Sequence, residues 1–243
     1  MLDKSSVSII VDPSRLTPIK YFGKSTINEY HTKFSQGVEW MTRLGVKGTI
    51  YRVSNMWFDV IPNMNTPIKY LEIGTFYGAN AISVNYSYAQ NPESEIHCID
   101  PWEDYSDYPE YKNEQNKIYN DFMSNINSCE FKDKFKIHRG YSNVKLLEFK
   151  DDYFDIIYID GNHEPEYIIE DAVLSFRKLK PGGFMIFDDY EWGDSSIGID
   201  SFCKCYKKKI KILSQDNYQL YLEKLSDIPI VREKLPNFQL VRK

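Results

Sequence analysis

Apolar residues recur every three or four positions through Tyr30, Phe34, Val38, Met41 and Leu44, which predicts a helix running to Gly45. Ser25 is its expected N-cap, with Glu29 in the first turn. From Ile68 the pattern changes. Short apolar runs at 68–73, 95–100, 134–138, 154–160 and 183–188, each bounded by turn residues, predict strands. Stretches with helical spacing at 78–90, 112–127, 142–148 and 165–179 separate them. Strands that alternate with helices predict an α/β fold with a doubly wound, mostly parallel sheet covered on both faces. A helix at 197–208 and strands at 210–214 and 218–223 follow. The last two are close enough to pair as a C-terminal antiparallel hairpin, giving seven strands in all. Residues 1–23 have no period and are broken by Pro13 and Pro18, so they read as an irregular arm. The segment 49–66 is mixed and carries Trp57 and Phe58. The expected organisation is therefore an arm and helical extension over 1–66 and an α/β domain over 67–243.

Composition narrows the class. The chain has 243 residues, enough for one α/β domain with an appendage. Its net charge of −5 provides no overall basic field, which argues against nucleic acid as partner. No apolar run is long enough to cross a bilayer. Cys98, Cys129, Cys203 and Cys205 form no C-x-x-C pair, and the 203/205 spacing suits a zinc clasp poorly. They read as reduced thiols of a cytoplasmic protein.

Two places carry chemistry. The run Leu71-Glu72-Ile73-Gly74-Thr75-Phe76-Tyr77-Gly78 ends a strand in a glycine turn that opens a helix. Such a turn exposes backbone N–H groups and lets a ligand approach the chain closely. It lacks the G-x-G-x-x-G spacing of a pyrophosphate clamp and the Gly-Lys-Ser/Thr of a P-loop. Asp100 closes the next strand, where a carboxylate takes ribose hydroxyls in nucleoside-binding versions of this fold. A plain strand-to-helix turn is the competing reading. The second place is Asp160-Gly161-Asn162-His163 with Asp188-Asp189, at the ends of two later strands. Neighbouring strands lie about 5 Å apart, so the three acids can converge, and carboxylates that converge need a cation or a proton between them. All-oxygen ligation favours Mg²⁺, Mn²⁺ or Ca²⁺ over zinc. Helix capping by Asp160 is the competing reading here.

With these residues the chain resembles the class I S-adenosylmethionine-dependent methyltransferases, over about residues 68–224. The resemblance implies a Rossmann-like fold and S-adenosylmethionine as cofactor. Glu72, Gly74, Thr75, Phe76, Tyr77, Gly78 and Asn80 would surround its methionine part, Asp100 would hold the ribose, and Trp102 and the Gly140-Tyr141-Ser142 turn would flank the adenine. The Asp-Gly-x-His turn, Lys180-Pro181-Gly182-Gly183, Asp188-Asp189 and the Ser196–Phe202 segment resemble the metal-dependent O-methyltransferases of macrolide and rhamnosyl pathways. That implies Mg²⁺ (or Mn²⁺) on Asp160, Asp188 and Asp189, and His163 as general base. Asp188 stands where some of that group carry Glu.

The leading expectation is thus Mg²⁺-dependent methyl transfer to a sugar or glycan hydroxyl. An alcohol is a poor nucleophile at neutral pH, and a metal with a nearby imidazole supplies what it lacks. A catechol-type small-molecule methyltransferase and a non-catalytic cofactor-binding scaffold are the alternatives. A nucleic-acid methyltransferase is disfavoured further by the absence of an Asn/Asp-Pro-Pro-Tyr/Phe sequence. The expected partner is a small-molecule or glycan acceptor, with no nucleic acid and no membrane; homo-oligomers are compatible with the sequence. The loop from Pro101 to Tyr111 alternates aromatic and acidic residues and reads equally as a lid over the acceptor and as a solvated connection.

Overall fold

A computed structural model describes residues 27–105, 108–216 and 218–226. Ser25 and its cap, the 1–23 arm and the C-terminal tail lie outside them. Helix α1 spans Ile27–Arg43. It closes where Gly45 turns left-handed (φ 74°) and Val46 N–H reaches back to the Met41 carbonyl, a glycine-terminated helix end. Strands β1 (Lys69–Ile73), β2 (Glu95–Asp100), β3 (Phe135–Arg139), β4 (Phe154–Ile159), β5 (Leu179–Phe187), β6 (Ile210–Gln215) and β7 (Leu220–Lys224) form one sheet in the order β3-β2-β1-β4-β5-β7-β6. The first five are parallel, and β7 runs antiparallel to both β5 and β6. Helices α2 (Ala79–Asn85), α3 (Gln115–Asn127), α4 (Ser142–Lys145), α5 (Pro165–Lys178) and α6 (Ser195–Tyr206) connect them.

The inner strands of this sheet have two apolar faces, as a doubly covered sheet requires. Tyr70, Ile96, Ile156, Tyr158, Ile186 and Tyr221 pack on one side against α1, α2 and α3. Leu71, Ile99, Ile157, Met185, Phe187 and Leu222 pack on the other against α5 and α6. The extension before β1 is part of the first core: Phe34, Val38, Met41, Ile50 and Val53 join it. Trp57 is fully buried there, 5.3 Å from the Tyr158 ring and 6.2 Å from that of Tyr70.

The departures from the expected elements are local. The helix expected at 78–90 stops at Asn85, where the Ser87 and Ala89 amides both turn back to the Val84 carbonyl. The one expected from 112 starts at Gln115, because Asn113 is left-handed (φ 65°) with its N–H bound to the Asp104 carboxylate. Strand β5 begins at Leu179 rather than 183, since Leu179 pairs with Phe154 across a register shift.

A histidine pair lies between β2 and β3. His97 Nδ1 and His138 Nε2 are 3.0 Å apart, and His97 Nε2 is 2.9 Å from Glu95. Burial, ahead of every other influence, lowers the His97 pKa to about 4 although Glu95 pulls it up. The unfolded chain therefore binds a proton near pH 6.5 that the folded chain refuses until about pH 4. Stability from this group is present above its unfolded pKa and is lost as the pH falls through that window, up to about 3 kcal/mol. Urea unfolding at pH 7 and pH 4.5 should show the loss, and a His97→Gln variant should show a smaller one. An equal loss in both proteins would remove His97 as its cause.

Candidate active site

The order in which strands are added to the sheet switches sides between the parallel neighbours β1 and β4, and the crevice opens there, at the carboxyl ends of the strands. Gly74 extends the ladder by donating to the Ile99 carbonyl, and Asp160 does so by donating to Ile73. The two turns touch. Gly74 is left-handed (φ 81°), and a Cβ on it would lie 1.8 Å from the Asp160 carbonyl oxygen. Only glycine supplies both the dihedral angle and the space.

Asp100 is the anchor of the same region. Its Oδ2 accepts the Phe76 N–H at 2.8 Å and its Oδ1 accepts the Trp102 N–H at 2.7 Å. Both donors are non-glycine residues in the left-handed region, at φ 53° and 47°. Burial pushes the Asp100 carboxyl up to about 6, against these amide hydrogen bonds. Glu72 sits deeper. Its Oε2 accepts from Tyr70 Oη at 2.5 Å and from Asn80 Nδ2 at 3.0 Å, and burial raises its pKa to about 8.

Above these turns lies a cavity of about 520 Å³. Eight of the fourteen expected site residues line it: Gly74, Phe76, Asp100, Ser142, Asp160, His163, Asp188 and Asp189. Glu72, Thr75, Tyr77, Gly78, Asn80 and Trp102 do not. Trp102 is buried against Tyr119 and Phe122 and donates its indole N–H to the Phe76 carbonyl. It shapes the loop from behind rather than flanking an adenine. Gly78 faces the Phe122 ring, 2.8 Å from where its Cβ would be, so the space beside it is filled by the core. Tyr77 covers Gly48.

At the other end of the cavity the acids meet a cation that the sequence reading missed. Arg52 Nε lies 2.8 Å from Asp188 Oδ1, and Arg52 Nη2 lies 3.3 Å from Asp189 Oδ1; all three side chains are buried. Gln219 Nε2 donates to the same Asp188 oxygen at 3.0 Å. His163 Nε2 is 3.0 Å from Asp189 Oδ2 and 3.9 Å from Asp160 Oδ1. Among the described residues Asp160, His163 and Asp189 form a group whose ligand atoms all lie within 4.8 Å of one another. Asp188 stands outside that group, turned to Arg52 and Gln219. Burial alone would lower the His163 pKa; the adjacent carboxylates of Asp160 and Asp189 outweigh it and raise the pKa to about 10. Trp192 meets the imidazole edge-on at 4.1 Å, and Tyr108 stacks on Trp192 at 5.4 Å. The Gly198–Phe202 segment, by contrast, is a packing element: Gly198 lets α6 approach the Pro165 carbonyl of α5.

A sequence signal for Arg52 did exist. It is a lone charge in the apolar run Thr49–Val53, and a buried arginine needs an acidic partner.

Residues 71–190 match the family model described as a methyltransferase domain. That match takes in a little under half of the chain, and the sheet that carries it has a Rossmann-like order and layering. In sequence the chain is 26% identical over 145 residues to an uncharacterized protein of Acanthamoeba polyphaga mimivirus; the match covers 58% of this chain and 62% of that protein. In structure it is similar to the O-methyltransferase TomG of Streptomyces achromogenes, solved with SAM and involved in tomaymycin synthesis. The TM-score is 0.55 at 13% identity, over 82% of this chain and 99% of that one. An O-methyltransferase of Bacillus cereus, solved with SAH, gives 0.52 at 15% identity over 84% and 93%. A putative rRNA methylase of Clostridium thermocellum gives 0.55 at 13% identity over 74% and 99%. One fold thus serves small-molecule and RNA acceptors, and the acceptor has to be argued from the site. Among the described residues no helix is long and apolar enough to cross a membrane.

Proposed function

We propose that the chain is an O-methyltransferase that moves the methyl group of S-adenosylmethionine to a hydroxyl of a sugar or glycan, with His163 as general base. The observation that carries this reading is the placement of His163, within 3.0 Å of Asp189, in the cavity that Gly74 and Asp100 line from the other side. The residues present fit the cofactor. The glycine turn lets a ligand lie against backbone, and Asp100 stands at the end of β2 where a ribose is held in this fold. The donor set also fits a divalent cation, with Asp160 and Asp189 as the carboxylates that would hold it and His163 beside them. Such an ion would acidify the acceptor hydroxyl and, by offsetting the two carboxylates, return His163 to neutral imidazole.

The protein's own groups do the remaining work. Gly74 and Asp100 fix where the cofactor's reactive end lies. Trp192 and Tyr108 hold the imidazole in one orientation and shield it from water. His163 takes the hydroxyl proton as the oxygen attacks the methyl carbon in line. Proximity and orientation supply much of the rate of such a displacement.

Cofactor turnover against a panel of sugars and catechols, with and without Mg²⁺, tests the reading. Sugar methylation that stops in excess chelator at pH 7 is expected. His163→Ala should lower kcat by about 10²–10⁴-fold while cofactor affinity stays. Full activity in chelator would remove the metal, wild-type turnover in His163→Ala would make the histidine structural, and a product methylated only on a phenolic oxygen would move the acceptor to the catechol class.

A further inference from the structure

Resting on that reading, we infer that the acceptor site selects against negative charge: the ring alcohol that enters is uncharged or carries an amine, and nucleotide-linked or phosphorylated sugars are excluded. Nine of the residues that line the cavity are carboxylates, and none of the described lining residues is lysine or arginine. The acids extend to the exposed rim of the cavity. Glu103 and Asp104 stand on one rim, after β2, and Glu164 stands on the other, at the start of α5; all three are exposed.

Two usual ways of binding a phosphate are closed here, and the cationic group that remains, His163 with the divalent ion proposed beside it, is already offset by Asp160 and Asp189. The first is a guanidinium or ammonium group. Arg52 is committed behind the wall to Asp188 and Asp189, and Arg139 lies over the Tyr119 ring with its donors on the Pro101 and Trp102 carbonyls. The second is a helix N-terminus. Besides the single turn α4, two helices begin at the lining: α3 at Gln115, with Glu114 at its N-cap, and α5, where Pro165 offers no N–H and Glu164 and Glu166 already bring negative charge to the helix end.

The aromatic roof is an independent observation that points the same way. Tyr105 and Tyr108 meet edge-on at 5.6 Å, Tyr108 and Tyr111 lie 6.0 Å apart, and Tyr51 Oη is 2.9 Å from Tyr111 Oη. These rings offer faces for the apolar side of a sugar ring and hydroxyls for its polar edge. A ring face carries negative quadrupole charge, so it attracts an amine and does nothing for a phosphate.

The experiment compares kcat/KM for methyl glucoside, glucosamine, glucose 1-phosphate and UDP-glucose at low and high salt. The phosphorylated pair should be used at least about tenfold less well at low salt, and the gap should narrow at high salt as the repulsion is screened. The double variant Glu103→Lys/Glu164→Lys, both exposed positions, should narrow it further by improving use of the phosphorylated pair. Equal or better use of the phosphorylated compounds by the native protein, or a gap that neither salt nor charge reversal moves, would overturn the inference. If none of the four sugars is methylated, the sugar reading itself falls. The same comparison with dopamine and 3,4-dihydroxybenzoate then decides the charge preference: a tenfold preference for the amine upholds it, and parity or preference for the carboxylate overturns it.

Discussion

Replacing Arg52 with alanine is expected to destabilise the fold by about 3–5 kcal/mol, the cost of removing one partner from a buried ion pair. The reason is what remains. Asp188 and Asp189 would stay buried beside Asp160, three acids with His163 as the one compensating cation in the group. Repulsion and desolvation would drive protonation of one acid or rearrangement of the turn after β5. For a domain of this size the melting temperature should fall by about 6–20 °C. Arg52→Lys keeps the charge and loses the fork that reaches both acids, so it should fall between. Adding Asp188→Asn to Arg52→Met should recover part of the loss, since the uncompensated charge is then gone. A change below about 1 kcal/mol in Arg52→Ala would show that the pair does not form as described.

Gly74→Ala should be comparably severe for a different reason. The added carbon would lie 1.8 Å from the Asp160 carbonyl oxygen, and alanine is strained at φ 81°. The turn after β1 can relieve this only by moving away from the turn after β4. That widens the crevice at the point where the cofactor and base regions meet. Loss of cofactor binding is expected, with destabilisation of about 4 kcal/mol or more, as for other overpacked backbone contacts. Gly182→Ala is the control: its φ is 78°, yet nothing lies within 4 Å of the added carbon. It should cost only about 1–2 kcal/mol, the dihedral penalty alone. Similar losses in both variants, by urea unfolding and calorimetric titration with S-adenosylmethionine, would show that the close approach at Gly74 is immaterial.

The two periodicities made most of the fold legible. Strands β1 to β4 and the final hairpin lie within a residue or two of the apolar runs that predict them, because each is bounded by residues that cannot continue a ladder. The shorter α2 and the later start of α3 were not legible. They depend on where the Val84 carbonyl and the Asp104 carboxylate find donors, and neither contact has a periodic signature. At the site, the glycine turn, Asp100, Asp160, His163 and the acid pair were readable because strand ends deliver them to one edge of the sheet. Trp102 and Gly78 were readable as part of the motif but not as lining, since which way a loop side chain faces is settled by the core behind it. Arg52 comes from a segment 136 residues before Asp188 with no regular element to carry it, and no spacing rule links the two.

The two amides that Asp100 holds have a consequence for how a ligand would meet this protein. Phe76 and Trp102 sit in backbone conformations that an isolated chain visits rarely, and one carboxylate keeps both there. The contour of this end of the crevice is therefore set by an intramolecular contact and does not wait for a visitor to mould it. With the proposed cofactor, recognition here would be selection by a preformed socket, in which a misfitting nucleoside is refused by shape and loop ordering takes little share of the binding free energy.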